Sequence, residues 1–256
     1  MTTVGDILQF IETLAPRDLK TDWDNVGLLC GSKSKPVTKL LVALDPFEGV
    51  CNEAAHWGAE LIVTHHPLIF QAPKSITDET SVGRAILTLC ADGISAINAH
   101  TNLDCAEGGV NDVLAQTLGL SDIAVVSHSE SGLLRCGNVA EQALGDFLSA
   151  VKSALGCKGL RYVDGGKPVR KVAVGGGSCA AEMLDALHAG CDTFVTADVK
   201  YNQFWDAHDL GLNLIDAGHF ATENPVIPVL AAKISEAFPE IQVKISETHK
   251  DCMKFY

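Results

Sequence analysis

A self-similarity constrains this chain more than any other feature. One ungapped shift lays Lys39-Leu40-Leu41-Val42 over Lys171-Val172-Ala173-Val174. The same shift lays His56-x-Gly58-x-Glu60-x-x-Val63-Thr64 over His188-x-Gly190-x-Asp192-x-x-Val195-Thr196, and further on Ile97-Asn98-Ala99-His100 answers Ile215-Asp216-Ala217-Gly218-His219. Any two βαβ units share apolar runs and glycine punctuation, which accounts for part of the match but leaves the paired Val-Thr strand ends unexplained. Two similar α/β halves follow. Short apolar runs alternate with helical patterns: Lys39 to Leu44, a helix around Val50 to His56, Leu61 to Thr64, a helix from Ser81 to Ala91, then Ile94 to Asn98. This rhythm predicts mostly parallel sheets with helices on their faces. From Ser121 to Leu134 the pattern breaks into Ser, His and Gly, so the expected lobes are 1–128 and 129–256, with a C-terminal segment able to return to the first.

The function classes narrow on composition. Nineteen Lys and Arg against 32 Asp and Glu give a formal charge of -13, which disfavours a nucleic-acid partner unless a local patch reverses the field. Val4, Ile7, Leu8, Ile11 and Leu14 fall at helical spacing with acids between them, so the start reads as an amphipathic helix and not a signal peptide. No apolar run approaches the ~18 residues of a membrane span. Nine scattered cysteines without a CxxC read as buried thiols of a reducing cytoplasm, the expected location.

Ligands in open α/β sheets gather beyond the carboxyl ends of strands, and three such tips carry chemistry. Leu61 to Thr64 runs into His65-His66-Pro67, where both imidazoles converge only if the strand ends and the chain turns, as Pro67 encourages. The run Ile94 to Asn98 leads to His100 and Asp104; taken alone, Asp104 reads as a turn cap. Leu212 to Ile215 leads to Asp216-Ala217-Gly218-His219 and then Glu223, an imidazole and a carboxylate on one face if the segment is helical. A solvated glutamate facing a helix dipole would explain Glu223 but not His219. His65, His66, Asp104, His219 and Glu223 form a nitrogen and oxygen set without cysteine. Five donors exceed the needs of one catalytic zinc and suit two divalent ions sharing a bridge, with zinc, iron or manganese admitted. Gly175-Gly176-Gly177-Ser178 after a strand reads as a tight turn before it reads as a phosphate cradle, since it is neither GxGxxG nor a Walker loop. Lys167, Arg170 and Lys171 read as a solvated edge or an anion lure. Asp198 and Lys200 occupy the repeat region of the tandem histidines and are candidate cleft residues.

Leu14-Ala15-Pro16, Trp23-Asp24-Asn25-Val26-Gly27-Leu28, Val63-Thr64-His65-His66-Pro67, Asn98 to Asp104, Gly175 to Ser178 and Asp216 to Glu223 occur together and in order. In these stretches the chain resembles the Nif-three-like family, many members of which carry the name GTP cyclohydrolase 1 type 2 homologue. The resemblance implies a two-lobed α/β subunit with a dinuclear metal site between the lobes, and a homohexameric ring with the sites facing its cavity. It implies His65, His66, Asp104, His219 and Glu223 as the metal ligands. The middle domain that longer members insert between the lobes is missing from this short form.

The leading expectation is a metal-dependent hydrolase in which two cations generate hydroxide at neutral pH, acting on a small nucleotide-like or phosphoester substrate. With a purine nucleotide that hydroxide would open the imidazole ring, as in a GTP cyclohydrolase; with a phosphoester the ion pair would clamp attacking and leaving oxygens. His100 is the candidate catalytic residue for proton transfer or support. The other expectation is a ring-shaped metal-binding adaptor without turnover.

Overall fold

The computed structural model describes residues 1–126 and 132–256. The chain forms two compact units, Met1–Ala106 with Ile227–Lys250, and Glu107–Val226 with Asp251–Tyr256. The 128/129 division expected from sequence lies outside the described residues. The chain passes into the second unit well before it, because Val110–Thr117 packs on strands of the second sheet.

In the first unit the elements are α1 (Val4–Leu14), β1 (Gly27–Cys30), β2 (Lys39–Ala43), α2 (Glu48–Trp57), β3 (Leu61–Thr64), α3 (Ser81–Ala91), β4 (Ser95–Asn98) and α4 (Thr101–Cys105). α1 starts on a capping box between Thr3 and Asp6 and buries Val4, Ile7, Leu8 and Ile11, the expected amphipathic face. The sheet runs β1-β4-β3-β2 and ends on β11 (Gln242–Ile245), which follows α10 (Val226–Ala237). Its strands are parallel except β1, antiparallel to β4. β2 and β3 are continuous apolar runs because helices cover both faces of a parallel sheet: Leu40, Leu41, Val42, Leu61, Ile62 and Val63 are all fully buried.

The second unit contains α5 (Val110–Thr117), β5 (Ser121–Val125), β6 (Arg135–Gln142), α6 (Leu144–Leu155), β7 (Arg161–Val163), β8 (Val169–Val174), α7 (Met183–His188), β9 (Thr193–Thr196), α8 (Tyr201–Asp209), β10 (Asn213–Asp216) and α9 (His219–Glu223). The strand order is β5-β6-β8-β9-β10-β7. Only β8-β9-β10 is parallel; β5, β6 and β7 join antiparallel, which corrects the expectation of a mostly parallel second sheet. The edge strands β5 and β7 are largely exposed, and antiparallel strands tolerate water on a face where parallel ones do not. The fold is therefore mixed α/β with two sheets.

The sequence repeat is a repeat of hydrogen bonds. Leu40 pairs with Leu61 in the first sheet and Val172 with Thr193 in the second. Glu60 accepts the amides of Thr38 and Lys39 at 3.0 and 2.8 Å, and Asp192 those of Arg170 and Lys171 at 3.1 and 3.0 Å. Lys39 Nζ donates to the Trp57 carbonyl, Lys171 Nζ to that of Ala189. Gly58 and Gly190 turn at φ 76° and 77°, left-handed positions that glycine adopts without strain. One carboxylate per half thus gathers strand-start amides, which general propensity does not require.

Cys51, Cys136, Cys179 and Cys191 are buried, and burial pushes the Cys51 and Cys191 thiols up to about 12, so they are inert packing. Cys90 and Cys252 are exposed and correct the expectation of uniformly buried thiols. Among the described residues no helix is long and apolar enough to cross a membrane.

The segment after β11 is pinned to α2. Glu53 accepts from Ser246 Oγ at 2.6 Å and from the amides of Glu247 and Thr248, each at 3.1 Å. Burial alone would raise the Glu53 carboxyl, but these hydrogen bonds outweigh it and hold the group at about 2, down from 4.5. A carboxyl lowered on folding stabilises the protein above its unfolded value, and that contribution is lost as pH falls through the folded one. Allowing for solvent screening, it is on the order of 1–2 kcal/mol. Melting curves of wild type and Glu53→Gln should therefore differ at about pH 6 and converge as pH falls from about 4.5 towards 2. A gap that stays constant would mean that the carboxylate charge contributes nothing.

Candidate metal centre

The sequence-predicted donors divide between the units: His65, His66, His100 and Asp104 belong to the first, His219 and Glu223 to the second. β3 ends at Thr64 and the chain bends, as Pro67 suggested, so His65 and His66 do not alternate across a strand; their ring centroids are 4.8 Å apart. His100 stands at the N-cap of α4, its ring 5.2 Å from that of His65 and 5.5 Å from that of His66. One ring nitrogen from each of the three lies within 4.8 Å of the others, a grouping that could hold a metal ion. Asp104 lies within α4 and is no turn cap; its Oδ1 is 3.6 Å from His65 Nε2. In the second unit α9 forms the expected helical turn and brings His219 Nε2 within 3.0 Å of Glu223 Oε2. Glu223 has a side chain only 5% exposed, which excludes a solvated helix-dipole partner.

All four imidazoles are oriented the same way. His65 Nδ1 donates to the Ala99 carbonyl at 2.9 Å and His66 Nδ1 to Asp45 Oδ1 at 2.7 Å. His100 Nδ1 donates to Asp24 Oδ1 at 2.8 Å, and His219 Nδ1 to Asp198 Oδ2 at 2.7 Å. A carbonyl or carboxylate oxygen cannot donate, so the proton sits on Nδ1 and the lone pair of the neutral ring on Nε2. The carboxylates are well suited to accept. Burial would raise Asp45, but hydrogen bonds from His249 and His66 hold it well below the usual range; for Asp24, burial is likewise outweighed by His100 and Thr101. An imidazole whose Nδ1–H is tied to an oxygen acceptor is the usual form of a histidine that binds a metal through Nε2. Borderline imidazole nitrogen with carboxylate oxygen and no thiolate suits zinc, iron or manganese, so the residues fit a divalent ion.

The holders Asp24 and Asp45 escape sequence reasoning, and Asp198 is found with a different role from a bare cleft residue. Asp24 lies in the Trp-Asp-Asn stretch and also accepts the Thr101 amide and hydroxyl at 3.0 and 2.6 Å, while Asn102 Nδ2 donates to the Ala15 carbonyl at 2.7 Å. The N-terminal stretches thus brace the α4 turn. The signal for Asp45 was its place one residue beyond Leu44, whose carbonyl accepts the His66 amide at 2.9 Å. Lys200 is an exposed residue at the start of α8.

The glycine loop is no phosphate cradle. The Gly176 amide donates to Asn111 Oδ1 at 2.7 Å and that of Gly177 to Thr222 Oγ1 at 3.0 Å. The loop instead admits the α9 carboxylate: a Cβ on Gly177 would stand 2.1 Å from Glu223 Oε1. Arg170 pairs with Glu141 at 3.2 Å with both side chains mostly exposed, as on a solvated edge.

Known proteins resemble this chain over nearly its whole length. The chain is 38% identical to a GTP cyclohydrolase 1 type 2 homolog of Clostridium perfringens, covering 98% of this chain and 99% of the relative. It is 33% identical to the protein of that name in Lactococcus lactis, covering 99% and 98%. Among solved structures, a Staphylococcus aureus hypothetical protein superposes with a TM-score of 0.92 at 29% identity, covering 99% of each chain. A Bacillus cereus protein related to NIF3 gives 0.93 at 26%, covering 100% of this chain and 99% of that one. The model of Duf34/NIF3 (NGG1p interacting factor 3) matches residues 2–252, so nearly every residue described above lies within that match, and the chain belongs to the Duf34/NIF3 family.

Proposed function

We propose that this protein is a metal-dependent hydrolase that binds two divalent ions, with His65, His66 and Asp104 as ligands in the first unit and His219 and Glu223 as ligands in the second. The observation that carries the reading is the shared orientation of the three ligand imidazoles, His65, His66 and His219, each with Nδ1 on an oxygen acceptor. Two divalent ions held there would act as Lewis acids and provide a nucleophilic water at neutral pH. His100 has its ring fixed by Asp24 and its side chain 15% exposed, which suits it to take or give a proton at Nε2 while Asp24 stabilises the charged ring.

Beside it, Trp23 and Phe70 are 62% and 53% exposed, with ring centroids 6.2 and 6.3 Å from that of His100. Such an exposed aromatic wall suits a planar ring and favours a nucleotide-like substrate over a simple phosphoester. The name GTP cyclohydrolase 1 type 2 homolog on the relatives points the same way. A cytoplasmic homohexameric ring belongs to the same proposal, resting on the family resemblance.

A second reading keeps the metals but not the turnover: the family description, NGG1p interacting factor 3, names an interaction and not a reaction. Purification without chelator followed by elemental analysis separates the outcomes. The hydrolase reading expects about two divalent ions per chain and turnover on a panel of nucleotides and phosphoesters. Metal-loaded protein that turns over nothing would leave the adaptor; a chain that takes up no transition metal would sink both.

A further inference from the structure

The acceptors behind the four imidazoles are not alike. His65 rests on a backbone carbonyl, and Asp24 behind His100 is tied back to Thr101 in the same turn. Asp198 behind His219 is half exposed. Asp45 behind His66 gives its other oxygen to a third residue, His249, whose Nε2 lies 2.7 Å from Asp45 Oδ2 across 204 positions of sequence. His249 is itself well seated: its side chain is 5% exposed, Phe47 stacks on it at 5.7 Å and 10°, and its amide donates to Ser246 Oγ at 3.1 Å. The segment is guided there by the sheet. β11 runs parallel to β2, the Ser246 amide donates to the Val42 carbonyl at 2.8 Å, and Glu53 fixes the next two amides.

We propose that His249 is a positioning residue for His66: by holding Asp45 it fixes the orientation and the Nδ1–H tautomer of the His66 ring, so the docked segment Ser246–His249 sets how tightly that ring binds a divalent metal. The inference rests on the reading of His66 as a ligand. A chain of two hydrogen bonds ending on a buried imidazole removes the rotation of Asp45, and outer partners of this type typically change metal affinity by about 10–100-fold.

The experiment compares His249→Phe, which keeps an aromatic ring against Phe47 but removes the donor, with His249→Gln, which keeps an N–H within reach of Asp45. Zinc affinity is measured by chelator competition, and the His66 tautomer by nitrogen chemical shifts of the metal-free protein. His249→Phe should weaken the tighter or the weaker zinc site by about 10–100-fold and blur the His66 tautomer signal. His249→Gln should stay within about threefold of wild type. Glu53→Gln, which loosens the segment without touching His249, should shift affinity in the same direction by a smaller factor, and it serves if the phenylalanine variant does not fold.

Unchanged zinc affinity and an unchanged tautomer in His249→Phe would overturn the proposal, as would equal losses in Phe and Gln. If wild-type protein takes up no zinc at all, the ligand reading fails, whereas the tautomer signal of the metal-free protein still decides whether His249 governs His66.

Discussion

Glu223→Gln should cut bound divalent metal from about two ions per chain to one or fewer and remove turnover on any substrate found. The reason is twofold. The variant loses the negative charge, and its amide nitrogen, unlike a carboxylate oxygen, can donate to His219 Nε2, which stands 3.0 Å from the carboxylate, and so occupy the lone pair that a metal needs. Removing an outer partner costs about 10–100-fold in metal affinity, so losing a ligand and masking its neighbour should cost more than about a hundredfold. Because Gln is isosteric, the melting temperature of chelated protein should move little. The check is metal content beside turnover. A variant that keeps its full metal complement would show that Glu223 is not a ligand, and the proposed ligand set would lose that carboxylate.

The second large effect is expected at Gly177→Ala. Gly177 sits at φ +62°, where an L side chain costs about 1–2 kcal/mol. The added Cβ would also stand 2.1 Å from Glu223 Oε1 and 3.1 Å from His219 Nε2, and forcing atoms into a filled site adds about 1–3 kcal/mol. A loss of about 2–5 kcal/mol lowers the melting temperature by roughly 4–20 °C in a chain of this size. Metal binding should fall with it, since the carboxylate has to move. Unaltered stability together with unaltered metal uptake would mean that the loop yields and that its glycine has no part in seating Glu223.

What was legible in the sequence were the elements whose burial is uniform and whose signals are local. β3 and α3 match their expected bounds because an apolar run and a helical period leave little room for another reading. The turn carrying His65 and His66 followed from Pro67, and the i, i+4 geometry of His219 and Glu223 from spacing alone. β5 escaped because its side chains are mostly exposed, which leaves no alternation to read. The carboxylates behind the imidazoles escaped for a different reason: Asp24 and Asp45 lie 76 and 21 positions from the rings they hold, and His249 lies 204 from Asp45. A short polar side chain carries no sign of a distant partner until register brings the two strand ends level.

The seating of β11 against β2 has a consequence for how the chain is made. A ribosome releases β2 long before β11, so throughout most of synthesis the outer edge of the first sheet has amides and carbonyls with no strand beside them. Such an edge recruits other nascent chains. A premature stop shortly before Gln242 would fix that condition permanently, so such truncated products should be lost to aggregation and proteolysis out of proportion to the few residues they lack.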